Sequence, residues 1–441
     1  MKHKTFAYQT LDCVQKKAGE LNAYVPLSED LSVLSTPLSI PGHELKNRFV
    51  IQPMEGCDGT AEGAPDELVI RRYLRFAAAG AGLIWFEAVG ICPEGRANPR
   101  QLMLTAENLD VFKKLLHDIR ETAQKTHGFV PPIIMQATHS GRYSRPGQTP
   151  APRIALHIPP YEKDKPLSDE TIVSDDYLDS LAEKYAESAR LAQAAGFDGM
   201  DIKACHGYLL CELLSARMRE NSRHGGSFEN RTRLFFDAIR AAWAATSAGL
   251  LLSTRINAYD GLPYPYGFGV SADGDICPDM TEPLLLLGQL EKLGLTLINI
   301  TMGNPYVNPH VNRPFDKGFY TPSEHPLDGL GRMYLCTKAI KDAYPGMTII
   351  ASALSYLRQF SPHVAAGLVT AGAADLVGYG REAFAYPGFI QDILNNGAMD
   401  KAKCCISCGK CSELMRAGST AGCVIRDGIY AEIYKRDVVK Q

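Results

Sequence analysis

Short apolar runs alternate with long amphipathic stretches along most of the chain. Eight runs have strand length: Phe49–Pro53, Leu83–Glu87, Ile133–Ala137, Gly199–Lys203, Leu250–Ile256, Thr296–Thr301, Thr348–Ala351 and Leu376–Gly378. The stretches between them have helical periodicity. Leu68–Ala79 is one. Tyr177–Ala195 is another, with Leu181, Tyr185, Ser188, Ala189 and Ala192 spaced to share a single face. Strand–helix alternation repeated this often predicts an α/β fold with a parallel sheet. Eight strands predict closure into a (β/α)8 barrel rather than an open doubly wound sheet.

Several predicted strands end in polar or charged residues: Glu87, Gln136, Lys203 and Arg255, with Arg381 just beyond the last. The C-terminal rim of a parallel barrel is where active sites are built, so five such endings point to a site there. No G-x-G-x-x-G follows a strand, which excludes the usual dinucleotide fingerprint. Residues 1–37 have weak patterning and are expected to be an N-terminal extension. The Pro-rich, charged loop Pro146–Lys165 is expected to lie on the surface or to form a lid.

Composition narrows the function classes. The chain has 441 residues, 45% hydrophobic and 22% charged, with a net charge of −3. That is ordinary globular composition, and it gives no reason to expect a nucleic-acid or membrane partner. The N-terminus lacks the apolar core of a secretory signal, and no run of about 18 apolar residues is present, so a cytoplasmic protein is expected. There are 12 cysteines, and Cys404, Cys405, Cys408, Cys411 and Cys423 crowd one short segment. Without a secretory signal, thiols and metal ligation are expected rather than disulfides. Cys405, Cys408 and Cys411 have C-x-x-C-x-x-C spacing, and Cys423 follows after eleven residues. Such turns aim thiolates at a common centre, as in four-iron four-sulfur sites, although zinc accepts four thiolates too. Cys404 reads as a spare beside Cys405.

Several segments in order carry a family resemblance. Asn47-Arg48-Phe49 leads into Pro53-Met54. Gln136-Ala-Thr-His-Ser-Gly-Arg142 follows, then Gly196-Phe-Asp-Gly199 with His206-Gly-Tyr208, Asn221–Arg231, Gly372-Ala-Ala-Asp375 and Gly380-Arg381. Together they resemble the Old Yellow Enzyme family of NADH:flavin oxidoreductases, over roughly residues 36 to 430. The branch with 2,4-dienoyl-CoA reductase and trimethylamine dehydrogenase, which has a cysteine-bound cluster after the barrel, is the most similar. The resemblance implies an N-terminal extension (1–37), an FMN-binding barrel (38–398) and a Cys-rich iron–sulfur segment (399–441).

It also implies site roles. Gln136 would meet the pyrimidine edge of FMN, and Arg255 the N1/C2=O side. Pro53, Met54 and Ala88 would supply backbone contacts. Gly380 and Arg381 would hold the phosphate, with Ser352 and Ala353 on the neighbouring loop, where relatives often have glycine. Glu55 stands where relatives often carry Thr or Cys against the flavin, and it either acts there or points elsewhere. Tyr208 matches a proton donor and His206 a carbonyl-binding position. Lys203 replaces the usual first histidine of that pair and fits a more anionic acceptor; alternatively it pairs with Asp198 or Asp201. Tyr306 and His310 are candidates for the substrate wall, while His139 and Arg142 read as structural or lid residues.

The implied activity is FMN-dependent reduction of the C=C bond of an unsaturated carbonyl, carboxylate or enoyl thioester. C–N oxidation as in amine dehydrogenases, or an electron-transfer subunit, are the alternatives. The relatives continue into a nucleotide-binding region after the cluster, whereas this sequence ends at Gln441. Electrons are therefore expected from NAD(P)H directly or from a reduced carrier such as a ferredoxin, a flavodoxin or an FAD-containing subunit. Lys401, Lys403, Lys410 and Arg416 could steer an acidic carrier. A homo-oligomer is compatible with the sequence.

Overall fold

The computed structural model describes residues 5–247 and 249–440. A short antiparallel hairpin comes first: β1 (Leu38–Ile40) pairs with β2 (His43–Leu45). Eight further strands follow: β3 (Phe49–Ile51), β4 (Leu83–Gly90), β5 (Ile133–Thr138), β6 (Gly199–Ile202), β7 (Leu251–Asn257), β8 (Leu297–Thr301), β9 (Thr348–Ala351) and β10 (Leu376–Tyr379). Among the described residues these eight are all parallel and close a barrel in which β10 pairs with β3. Each coincides with a run predicted from the apolar pattern. The hairpin was not predicted, because strands of three residues are too short for a periodic signal.

Helices separate the strands, as a right-handed parallel barrel requires. The helix Asp175–Ala195 buries Leu181, Tyr185, Ser188, Ala189 and Ala192, the face expected from spacing. The Ser174 hydroxyl accepts from the Tyr177 amide at its start, and Gly196 ends it at φ +95°, where a Cβ would be strained. The helix packs against Phe228–Ala245, which begins at a Ser227 cap. Barrel strands are buried on both faces, so they read as continuous apolar runs. Ahead of the hairpin the chain forms the helix Leu11–Glu20, with Val14 and Ala18 buried. No helix among the described residues is long and apolar enough to cross a membrane.

The last part of the chain folds back over the barrel mouth. Ala421 donates its amide to the Gly56 carbonyl at 2.7 Å, and the Thr420 hydroxyl bonds the same carbonyl at 2.8 Å and Asp58 at 3.0 Å. Below this contact lies a buried ion network. Arg72 grips Asp58 with two bonds (2.7 and 2.8 Å) and Glu87 with one of 2.6 Å, while Glu87 also accepts the Gly56 amide at 2.9 Å. Glu87, expected to mark the site, belongs to this network instead.

Candidate functional site

One cavity opens at the C-terminal ends of the barrel strands. Residues after β3 (Gln52, Pro53, Met54, Glu55), Ala88 in β4, Gln136 in β5 and Arg255 in β7 line it. Lys203, His206 and Tyr208 enter from the loop after β6, and Ser352 and Ala353 from the loop after β9. Gly380 and Arg381 follow β10. Apart from His310, the residues expected at the flavin or the substrate from sequence therefore face a single space. The strand periodicity explains this: alternate residues of a barrel strand turn inward, and the last inward position opens on the mouth.

On one wall, buried polar groups organise one another. Asp201 accepts from the Gln136 amide (2.6 Å), the Trp85 indole (2.8 Å) and the Arg255 backbone amide (2.7 Å). Burial pushes the Asp201 carboxyl up to about 6, against these hydrogen bonds. Arg255 is only 8% exposed, and its Nε has no hydrogen-bond partner among the described residues. A buried, unsatisfied guanidinium donor is costly unless a ligand completes it. Gln52 bonds Asn299 and Ser352. A Cβ on Gly380 would lie 2.8 Å from the Met54 sulfur, so glycine keeps the backbone close to that loop. Ala353 has φ +71°, in the left-handed region that favours glycine.

The other wall carries titratable groups. The Tyr208 hydroxyl lies 3.5 Å from Glu55 Oε2 as donor and 3.1 Å from the Tyr306 hydroxyl. Lys203 Nζ sits 3.8 Å from the Tyr208 ring centroid, a cation–π geometry. Among the described residues Lys203 makes no ion pair within 4 Å; Asp198 instead pairs with Arg120, and Asp201 with the groups above. Burial lowers the Lys203 ammonium, and the nearby Cys205 and Glu55 oppose it. Glu55 points into the cavity rather than away. Burial raises its carboxyl to about 7, despite the opposing charge of Lys203. His206 is held by Asn312 (3.0 Å) and Thr301 (3.3 Å), and burial keeps its imidazole well below the usual range, hence neutral.

Some expectations need correction. Tyr306 lines the cavity, but His310 bonds Tyr320 at 2.6 Å and lies 3.8 Å from Glu324, outside it. His139 bonds Tyr177 at 2.8 Å, and Arg142 pairs with Glu162 and Glu212, so both are structural. Arg416 does not stand free on a steering patch. It lies over the Phe319 ring at 4.4 Å, bonds the Pro305 carbonyl at 3.0 Å and lines the cavity mouth. Lys403 lies 3.7 Å from Asp392 and 3.6 Å from Asp400, and Lys410 lies over the Tyr434 ring.

Sequence reasoning missed Gln52, Asn312, Arg313, Met415 and Arg416 in the cavity wall. One signal was available for Met415. It lies four residues after Cys411 on the helix Lys410–Arg416, hence on the same face.

Cys405, Cys408, Cys411 and Cys423 together line a second cavity, with Arg381, Phe384 and Arg426. All four are free thiols, and burial raises the Cys405 thiol to about 12. Among the described residues no three Cys, His, Asp or Glu side chains converge to hold a single metal ion. Cys404 is buried at the edge of the same cavity, with its thiol turned to the Asp400 carbonyl at 3.4 Å. Arg381, Phe384 and Cys411 border both cavities, so the two spaces are neighbours.

Comparison with known proteins gives concordant results. The model of the NADH:flavin oxidoreductase / NADH oxidase family matches residues 33–264. An NADH oxidase from Thermoanaerobacter brockii is 27% identical over 419 residues, covering 90% of this chain and 57% of that protein. An NADPH dehydrogenase from Geobacillus thermodenitrificans is 30% identical over 280 residues, covering 62% of this chain and 73% of that protein. The solved complex of 2-naphthoyl-CoA reductase with 2-naphthoyl-CoA shares the fold at TM-score 0.76 and 19% identity, over 92% of this chain and 58% of that one. The chain thus spans less than two thirds of the first and third of these proteins.

Proposed function

The chain belongs to the NADH:flavin oxidoreductase / NADH oxidase family, and from that premise we propose that it is an FMN-dependent ene-reductase. Its substrate is an activated alkene: an α,β-unsaturated carbonyl, a carboxylate or an enoyl thioester. The single observation that carries this reading is the meeting of Tyr208, His206 and Lys203 with the flavin-type residues in one cavity.

The residues present fit FMN. Arg255 offers a buried donor without a protein partner, suited to the anionic N1/C2=O edge. Gln136, Pro53, Met54 and Ala88 would hold the ring, and Ser352, Ala353, Gly380 and Arg381 the phosphate. FMN, when bound, supplies the hydride. The protein's residues do the rest. Neutral His206, fixed by Asn312 and Thr301, donates to the substrate carbonyl. Lys203 stabilises the negative charge that develops on it. Tyr208 delivers the proton to the α-carbon. Lys203 also disfavours a cationic amine in this space, which ranks C–N oxidation lower.

In the same reading residues 38–398 hold FMN, and residues 399–441 hold an iron–sulfur cluster on Cys405, Cys408, Cys411 and Cys423. Four thiols lining one cavity, three of them at C-x-x-C-x-x-C spacing, support this reading. The cluster would pass single electrons between the flavin and a carrier protein, with NAD(P)H as the other electron source.

Anaerobic mixing tests the function. FMN-loaded protein is reduced with NADPH, or with dithionite if the nucleotide fails, then mixed with 2-cyclohexenone, cinnamate and crotonyl-CoA. Return of the oxidised flavin spectrum with at least one alkene is expected. Failure with all of them, together with bleaching of oxidised flavin by simple amines, overturns the proposal.

A further inference from the structure

Two positions depart from the pattern of the family resemblance, and the fold brings them together. Glu55 stands where Thr or Cys is usual, and Lys203 where His is usual. They come from the loops after β3 and β6, about 150 residues apart in sequence. Both meet at Tyr208: its hydroxyl faces Glu55 Oε2 at 3.5 Å, and Lys203 Nζ lies 3.8 Å from its ring centroid. Tyr306 adds a hydroxyl 3.1 Å from that of Tyr208 and is itself held by stacking on Tyr143 at 3.9 Å.

We propose that Glu55 is the proton store of this cavity, recharging Tyr208 after each turnover. The proposal rests on the ene-reductase reading above. The alkene gains a hydride at the β-carbon from reduced flavin, itself charged by a nicotinamide, and a proton at the α-carbon from Tyr208. The tyrosinate then takes the Glu55 proton, and Glu55 regains one from solvent. Lys203, over the ring, stabilises the tyrosinate while it lasts.

The groups facing Glu55 support the direction of transfer. Lys203, Glu87, Cys57, Tyr208 and Tyr306 surround it. Its carboxyl, raised by burial to about 7, is a stronger acid than Tyr208, whose phenol burial lifts well above 10. Transfer from Glu55 to tyrosinate is therefore downhill, and a group with a pKa near neutrality reloads from water readily. Without such a store, a buried tyrosinate would have to be protonated directly from solvent.

The test is multiple turnover across pH. FMN-loaded protein is supplied with excess NADPH, or dithionite if the nucleotide fails, and an alkene that the wild type accepts. The wild-type rate is expected to hold below pH about 7 and to fall above it, because only protonated Glu55 donates. Glu55→Gln is expected to lose that limb and to run about 10²-fold slower in multiple turnover. Glu55→Asp restores part of the rate together with a pH limb, an outcome a purely structural role would not give. Circular dichroism checks the fold. If Glu55→Gln does not fold, the wild-type profile decides: no falling limb between pH 6 and 8 overturns the store. An active wild type beside a Glu55→Gln protein of equal rate and unchanged profile overturns it too. A wild type that no alkene reoxidises defeats the ene-reductase reading itself, and the store with it.

Discussion

Replacing Arg72 with methionine removes the cation from the buried network beneath the barrel mouth. Arg72 is 3% exposed, and its partners Asp58 and Glu87 are 1% exposed each. The change leaves two carboxyl groups facing each other without a counter-charge. A carboxylate stranded in such a place takes up a proton rather than stay ionised. Glu87 already leans that way, since burial raises its carboxyl even with Arg72 present. Protonating one carboxyl of ordinary pKa about 4.3 at pH 7 costs (7 − 4.3) × 1.36, or about 3.7 kcal/mol. One shared proton between the pair gives a destabilisation of about 4 kcal/mol, within the range of about 3–5 for breaking a buried pair. For 441 residues at about 2.1 cal/mol/K each, this lowers Tm by about 4 °C.

The pH dependence has a definite sign. In the variant the folded pKa stands above the unfolded one, so the penalty is full at high pH and fades as pH falls towards the unfolded value. At pH 5 about 1 kcal/mol remains from the same arithmetic. Differential scanning calorimetry of both proteins from pH 5 to 8 measures it. An unchanged Tm at pH 7, or a loss equal at pH 5 and pH 8, would refute the reasoning.

Three further outcomes are expected. Arg255→Met removes the buried, unpartnered donor proposed for the flavin edge and is expected to weaken FMN retention by about 10–100-fold, the equivalent of ~1.5–3 kcal/mol for such a bond; flavin fluorescence after dialysis measures it, and full retention contradicts the role. Cys411→Ser lowers iron and acid-labile sulfide in anaerobically purified protein and changes the wall that Met415 and Arg416 build, seen as a raised KM for bulky alkenes; undiminished iron counts against the four-cysteine ligand set. His139, pushed by burial to about 4, makes the fold acid-sensitive. Its folded pKa lies below the unfolded value near 6.5, so stability is lost as pH falls from about 6.5 towards 4, and His139→Gln flattens Tm over that window if the reasoning holds.

The apolar pattern was enough to read the eight barrel strands, because strands buried on both faces must be continuously apolar and short. The same local logic carried the helix Asp175–Ala195, with its Ser174 cap, Gly196 stop and single buried face. Residues at the ends of strands were legible as well, since the barrel mouth is where inward positions run out. That is why Gln136, Lys203 and Arg255 could be named from their place in the chain.

Other features depended on contacts across the chain, which periodicity does not encode. Glu87 looked like Lys203 in sequence, but the neighbouring Arg72 and Asp58 draw it out of the cavity wall. The return of residues 405–421 over the mouth, through Thr420 and Ala421 to Gly56, placed Met415 and Arg416 in the wall. Glu55 could act or point away as far as the sequence went. Its direction was decided by the packing of Lys203 and Tyr208 from the loop after β6. Local sequence determines which segments become strands and helices, because hydrogen bonding and burial there involve near neighbours; which side chains face one another is decided only when distant loops are packed into one volume.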